Sequence, residues 1–279
     1  MGTVIFLSPH LDDAVFSCAG MIQQMIRTGK RVLVVTFFTS GYDGYDQRRT
    51  EDIAAVSFLG ASVLHLGQTD APYRIPAYLT FREIIFGWHP QDELTLASTL
   101  QLLEGLCERE QPESIFAPLG VGGHVDHRIV HESVKRLSWP ASLYFYEDRP
   151  YAYAQGAAEL RLRELKYDAP PVNVPALLKT FRQLPHVRKY LPAGVERKAC
   201  EILLTNPLAG NPGNQSGITL LLSCAGDDVR KSHHAASFYV SQFPDFCGSL
   251  QRLQKLDLRH SVWLSNPDQR TERYWRLPA

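Results

Sequence analysis

The chain has 279 residues, 44% of them hydrophobic and 21% charged, with 29 basic side chains matched by 29 acidic ones. That length buries a sizeable core, and the balanced charge argues against nucleic acid or an anionic membrane as the main partner, because both call for a basic surface. No apolar run approaches about eighteen residues, so no transmembrane segment is expected. The opening residues 1–7 lack a basic leader, and the five cysteines are scattered without a CxxC pair, which points to reduced thiols and a cytoplasmic protein.

In chain order, residues 4–8 read as a compact apolar strand, and residues 14–28 carry helical spacing up to Gly29. A second buried strand spans 31–38, a helix 47–59 closes at Gly60, and a third strand spans 62–66. An amphipathic helix over 94–109 leads to a strand at 114–117, a helix near 126–137 and a strand at 142–146. This alternation predicts an α/β fold: a mainly parallel sheet with helices on both faces. In such sheets ligands gather beyond the carboxyl ends of the strands. Between Pro150 and Pro212 lie eight of the eighteen prolines, among short amphipathic pieces at 176–188 and 196–204. This stretch reads as a helical and loop insertion that walls or lids a site, so the chain is expected to be one domain over 1–279 with an insertion at about 150–212. Residues 227–242 read as helical, and 271–277, with Tyr274 and Trp275, as an edge strand or short tail.

Two polar clusters fall at strand ends. Pro9-His10-Leu11-Asp12-Asp13 follows the first strand. An imidazole and a carboxylate three residues apart at a tight turn can reach one divalent ion, which leaves Asp12 free as a base. The plain alternative is that the two acids only start a helix. Gly120-Val121-Gly122-Gly123-His124-Val125-Asp126-His127 follows the fourth strand. There one histidine can bind metal while the acid fixes its neighbours, or the loop is merely glycine-rich with Asp126 as a helix cap. His131, four residues after His127, reads as a packing residue beside Val130 and Val134. His65, His89, His186, His233, His234 and His260 read as surface or core.

Together the two clusters resemble the paired signature of the LmbE-like, or PIG-L, family of zinc-dependent de-N-acetylases. Arg48 and Glu51 before Leu59-Gly60, Lys231 with Ser241-Gln242, Glu272-Arg273-Tyr274 and the run from Tyr146 to Tyr151 extend the likeness. The resemblance implies a Rossmann-like sheet and one Zn²⁺ per chain held by His10, Asp13 and His127, a ligand set that other divalent metals also fit. It implies Asp12 as general base, and His124 as the group that stabilises the oxyanion or protonates the leaving amine. Asp126 would orient a histidine, Arg48 would contact a substrate hydroxyl or phosphate, and Asp43 would border the sugar. Some members carry a tyrosine where this chain has Gly122, which leaves one oxyanion donor unassigned.

The resulting expectation is a metal-dependent hydrolase that removes an acetyl group from an N-acetylated amino sugar or glycoconjugate. Two imidazoles and one carboxylate leave a coordination position for water, as in catalytic sites. The alternatives are hydrolysis of another acyl amide or a carbamoyl group, or a non-catalytic sugar-binding relative. Asp12 disfavours a pure binder, which has no use for a free base beside the metal. The expected partner is a small N-acetylated sugar or glycoconjugate and not nucleic acid, with homo-oligomer formation left open.

Overall fold

The computed structural model describes residues 2–42, 44–137, 141–209, 213, 215–266 and 270–278. The first half runs β1 (Thr3–Ser8), α1 (Asp13–Arg27), β2 (Arg31–Ser40), α2 (Tyr45–Phe58) and β3 (Ser62–Thr69). After three short helical turns (Ala71–Arg74, Pro76–Leu79 and Phe81–Phe86) come α3 (Pro90–Glu110), β4 (Ser114–Pro118), α4 (Val125–Lys135) and β5 (Ser142–Tyr146). The next segment carries α5 (Val174–Phe181), α6 (Pro185–Tyr190) and α7 (Val195–Thr205). The chain then adds β6 (Ile218–Cys224), α8 (Asp227–Ala236), α9 (Leu250–Trp263) and β7 (Arg270–Arg276).

One seven-stranded sheet has the order β3-β2-β1-β4-β5-β7-β6. The first five strands are parallel, with Val4 opposite Val32 and Ser114, and β7 pairs antiparallel with both β5 and β6. Val4, Ile5, Phe6 and Leu7 are all fully buried, as a central parallel strand covered on both faces requires. Phe6 stacks on Phe116, and Phe116 on Tyr144, so an aromatic ladder crosses β1, β4 and β5. Asp13–Gln23 of α1 are buried all round, because the helix lies between the sheet and α8, where Gln23 Nε2 donates to Ser232 Oγ at 3.0 Å. No described helix is long and apolar enough to cross a membrane.

The α/β alternation is as the sequence predicts, with three departures. The amphipathic piece expected at 176–188 falls in two helices, since Pro185 cannot continue the hydrogen-bonded ladder begun at Val174. The helix expected over 227–242 stops at Ala236, beyond which the buried Tyr239 hydroxyl donates to Asp52 at 2.6 Å. The closing strand is not an edge: β7 is flanked by β5 and β6, and the edge belongs to β6, whose four leading residues are exposed. The interior is continuous, with Leu177, Phe181, Leu184 and Val187 joining the same apolar cluster as the sheet.

Candidate active site

The carboxyl ends of β1, β3, β4 and β5 open into one cleft of about 660 Å³, lined by His10, Asp12, Asp13, Arg48, His124 and His127 among others. At the β1 end, Ser8 Oγ donates to the His10 carbonyl at 2.7 Å and accepts the Ala14 amide at 3.0 Å, which fixes the turn. The His10 amide donates to Asp13 Oδ2 at 2.8 Å. That same oxygen lies 3.3 Å from His10 Nδ1 and 3.3 Å from His127 Nε2, so side chains more than a hundred positions apart converge on it.

Each of the two imidazoles has its other nitrogen on a carboxylate. His10 Nε2 lies 3.1 Å from Asp126 Oδ2, and His127 Nδ1 lies 2.6 Å from Asp148 Oδ1. This is the arrangement by which outer carboxylates set the tautomer and aim of metal-binding histidines. Asp126 is itself held by the Ala71 amide at 3.0 Å and Arg74 at 2.8 Å, and Asp148 Oδ2 accepts the Gly120 and Val121 amides at 2.8 Å each. The glycine-rich loop thus supports His127 through Asp148. Gly120, at φ +80°, lets the backbone present both amides, a conformation that L side chains rarely adopt.

Electrostatics separates the histidines. Burial alone would lower His127, but Asp13 and Asp148 carry it up to about 9, and Asp70, Asp126 and Asp13 likewise raise His10 against burial. Burial and the neighbouring imidazoles of His10 and His127 hold His124 well below the usual range. Its Nδ1 accepts the Asp126 amide at 3.2 Å, so the neutral ring carries hydrogen on Nε2. With Nδ1 so engaged, His124 has Nε2 as its donor nitrogen. Burial, and then the adjacent Asp13, push the Asp12 carboxyl up to about 8, against Arg48 and His10.

The donor chemistry suits a divalent cation. The ring nitrogens of His10, His124 and His127 lie within 4.8 Å of one another, as do donor atoms of His10, Asp70 and Asp126. The set His10, Asp13 and His127 shares two members with the first group, and Asp13 Oδ2 is the atom between its two imidazoles. His124 is committed to the Asp126 amide through Nδ1.

Six of the sequence-selected residues line the cleft, and Asp126 stands behind His10; Asp43 lies outside the described residues. Arg48 does not pair with Glu51. Its Nη1 lies 3.7 Å from Asp70 Oδ2, while Glu51 accepts the Ser241 amide at 3.0 Å and its hydroxyl at 2.6 Å, tying α2 to the C-terminal part. His131 is fully buried with Nδ1 3.0 Å from the Pro118 carbonyl, a packing residue as expected.

Sequence reading missed Asp70 and Asp148. Asp70 follows β3, lies 3.5 Å from His10 Nε2 and accepts the Tyr45 hydroxyl. Ending the third strand at Leu66 hid it, because β3 runs on to Thr69. An acid two residues past the end of β5 was the available signal for Asp148. Tyr151 also borders the site, with its ring 6.0 Å from that of His127. It occupies the space above Gly122: a Cβ there would lie 2.2 Å from Tyr151 Cγ, at φ +87°. Gly122→Ala is expected to cost about 1–3 kcal/mol in urea unfolding, through overpacking and backbone strain, and to lower turnover by displacing Tyr151. An unchanged midpoint would contradict this packing.

Residues 5–138 match the PIG-L family, described as GlcNAc-PI de-N-acetylase. The chain is 28% identical over 198 residues to 2'-N-acetylparomamine deacetylase of Streptomyces fradiae, covering 62% of this chain and 67% of that protein. It is 26% identical over 223 residues to the Niallia circulans protein of the same name, covering 64% and 80%. Among solved structures, teicoplanin deacetylase in its zinc-inhibited form superposes with a TM-score of 0.67 at 18% identity, covering 98% of this chain and 97% of that one. The A40926 pseudoaglycone deacetylase gives 0.65 at 19%, covering 99% and 98%. These two likenesses establish the shared fold.

Proposed function

We propose that the chain, whose residues 5–138 match the PIG-L family, is an N-deacetylase of that family, and that the cleft at the end of β1 and β4 removes the acetyl group of an N-acetylated amino sugar or glycoconjugate. The observation that carries the reading is Asp12: a buried carboxylate facing the cleft beside, but outside, a convergent set of two imidazoles and one carboxylate. His10 Nδ1, Asp13 Oδ2 and His127 Nε2 would hold one zinc ion per chain, and the metal would supply Lewis acidity toward the acetyl carbonyl and acidify water.

The chain's own groups divide the remaining labour. Asp12 accepts a proton from the attacking water and returns it to the departing nitrogen, so the acetyl–nitrogen bond breaks to give acetate and a free amine. His124 donates from Nε2 to the carbonyl oxygen as charge builds there. Asp126 and Asp148 hold the rings of His10 and His127, and Arg48, close to Asp12 and Asp70, binds a substrate hydroxyl. The cleft that would receive the sugar is partly aromatic, with Tyr73, Tyr78 and Tyr151 in its lining.

The direct test is acetate release from a panel of N-acetyl amino sugars by purified protein of known metal content. Release of acetate together with the amine is expected, whereas inertness toward every N-acetyl compound, with turnover of a carbamoyl compound instead, would reassign the reaction. A second expectation concerns the outer carboxylate. Asp148→Asn should weaken zinc binding by about 10- to 100-fold in chelator competition, because His127 loses its orienting anion. Unaltered affinity would remove His127 from the ligand set or Asp148 from its support.

A further inference from the structure

The floor of the cleft is charged, and its far wall is aromatic. On that wall stand Tyr151 and His186, both from the segment after β5, with Phe81 from the β3–α3 connection. Both ring nitrogens of His186 are buried, and neither has a hydrogen-bond partner among the described residues. The ring is held by its faces and edges instead: Phe81 lies 6.4 Å away and 24° from parallel, Tyr151 5.0 Å away at 77°. Burial lowers its pKa to about 4, against Asp245, so the imidazole is neutral near pH 7, with one donor and one acceptor nitrogen. Buried polar atoms without partners are destabilising, and two on one ring call for a partner that the folded chain does not supply.

We propose that His186 is a specificity-determining residue of this deacetylase: it hydrogen-bonds a hydroxyl on a second ring joined to the N-acetylated sugar, so the preferred substrate is a glycoside of at least two rings. The proposal rests on the deacetylase reading above. The reach fits, because His186 lines the same cleft as His127 and is two ring contacts from it, 6.0 Å to Tyr151 and 5.0 Å onward, which keeps it within the span of a disaccharide. The chemistry fits too. A hydroxyl both donates and accepts, as a neutral imidazole does. The rings of Tyr151 and Phe81 match the apolar face of a sugar. Turning the His186 ring into the cleft breaks no hydrogen bond, so substrate binding supplies a partner without removing one.

The test compares wild type, His186→Phe and His186→Asn, each of known metal content, on N-acetylglucosamine and on N,N'-diacetylchitobiose. Phenylalanine keeps the aromatic contacts and removes both hydrogen-bonding atoms. The expected result is wild-type preference for the two-ring compound, reduced about tenfold in kcat/KM in His186→Phe, mainly through KM, with the single-ring compound within about twofold. Asparagine should recover part of the loss. The ¹⁵N shifts of the His186 ring should move on adding the deacetylated two-ring amine and not on adding glucosamine. An equal fall on both substrates, unmoved ¹⁵N shifts or a wild-type preference for the single ring would overturn the role of His186 and leave the deacetylase reading standing. No acetate from either compound or from the wider N-acetyl panel would overturn both.

Discussion

Asp12→Asn is expected to lower acetate release by about 10²- to 10⁴-fold while leaving bound metal and the fold intact. The substitution preserves shape and removes only the capacity to accept a proton at one buried carboxylate, while His10, Asp13 and His127 stay in place. Acetate assay, metal quantification and a urea midpoint on the same preparation check it. Activity within tenfold of wild type would assign the base elsewhere. The variant also carries a signature in the metal-free protein. Burial and the Asp13 charge raise the folded pKa of Asp12 to about 8, so between the unfolded value near 3.9 and about 8 the native state binds the extra proton. Stability contributed by this group therefore falls as pH rises through that window. Metal-free Asp12→Asn lacks this dependence and should be the more stable protein at pH 8–9, the usual relation between a strained functional group and stability.

Asp257→Asn is expected to destabilise the protein by about 3–5 kcal/mol at pH 7. Asp257 is fully buried on α9, and its carboxylate meets Arg149 Nη1 at 2.9 Å, Arg270 Nη1 at 3.0 Å, His233 Nε2 at 2.9 Å and the Tyr153 hydroxyl at 2.8 Å. Arg149 follows β5 and Arg270 opens β7, so this one anion joins the parallel and antiparallel halves of the sheet. Both guanidinium groups are fully buried and would be left without their shared counter-ion. Against burial, Arg270 and Arg149 hold the Asp257 carboxyl well below the ordinary range. A depressed folded pKa gives stability that is present above the unfolded value near 3.9 and is lost as pH falls below it. The gap between wild type and Asp257→Asn in urea unfolding should therefore narrow below about pH 4. A gap under 1 kcal/mol at pH 7 would mean the cluster contributes little.

Asp12 and Asp257 differ in how far each could be read from residues alone. The Asp12 motif is local: a β-branched and aromatic run, a turn, then two acids before a helix, so strand, turn and helix start are all encoded within a dozen positions. The same locality made β4, the glycine loop, His124 and His127 legible. Asp70 escaped because its strand outlasts its apolar run, ending in Gly67-Gln68-Thr69, whose pairing is imposed by β2. The amphipathic spacing of 176–188 leaves its break at Pro185 unmarked, and the closing strand reads as an edge or tail where end-of-chain position stands in for partners.

What the sequence determined by itself is the alternating α/β fold and the two motifs, because hydrophobic period, turn residues and the order of metal-type side chains act over short distances along the chain. Tertiary structure alone decided which carboxylate stands behind which histidine, that Arg48 turns to Asp70, that Arg149, Asp257 and Arg270 share one buried charge cluster, and that His186 faces the cleft. Those outcomes depend on where separate elements dock, and on the cost of burying a polar atom unpaired, which acts through space and leaves no period in the chain.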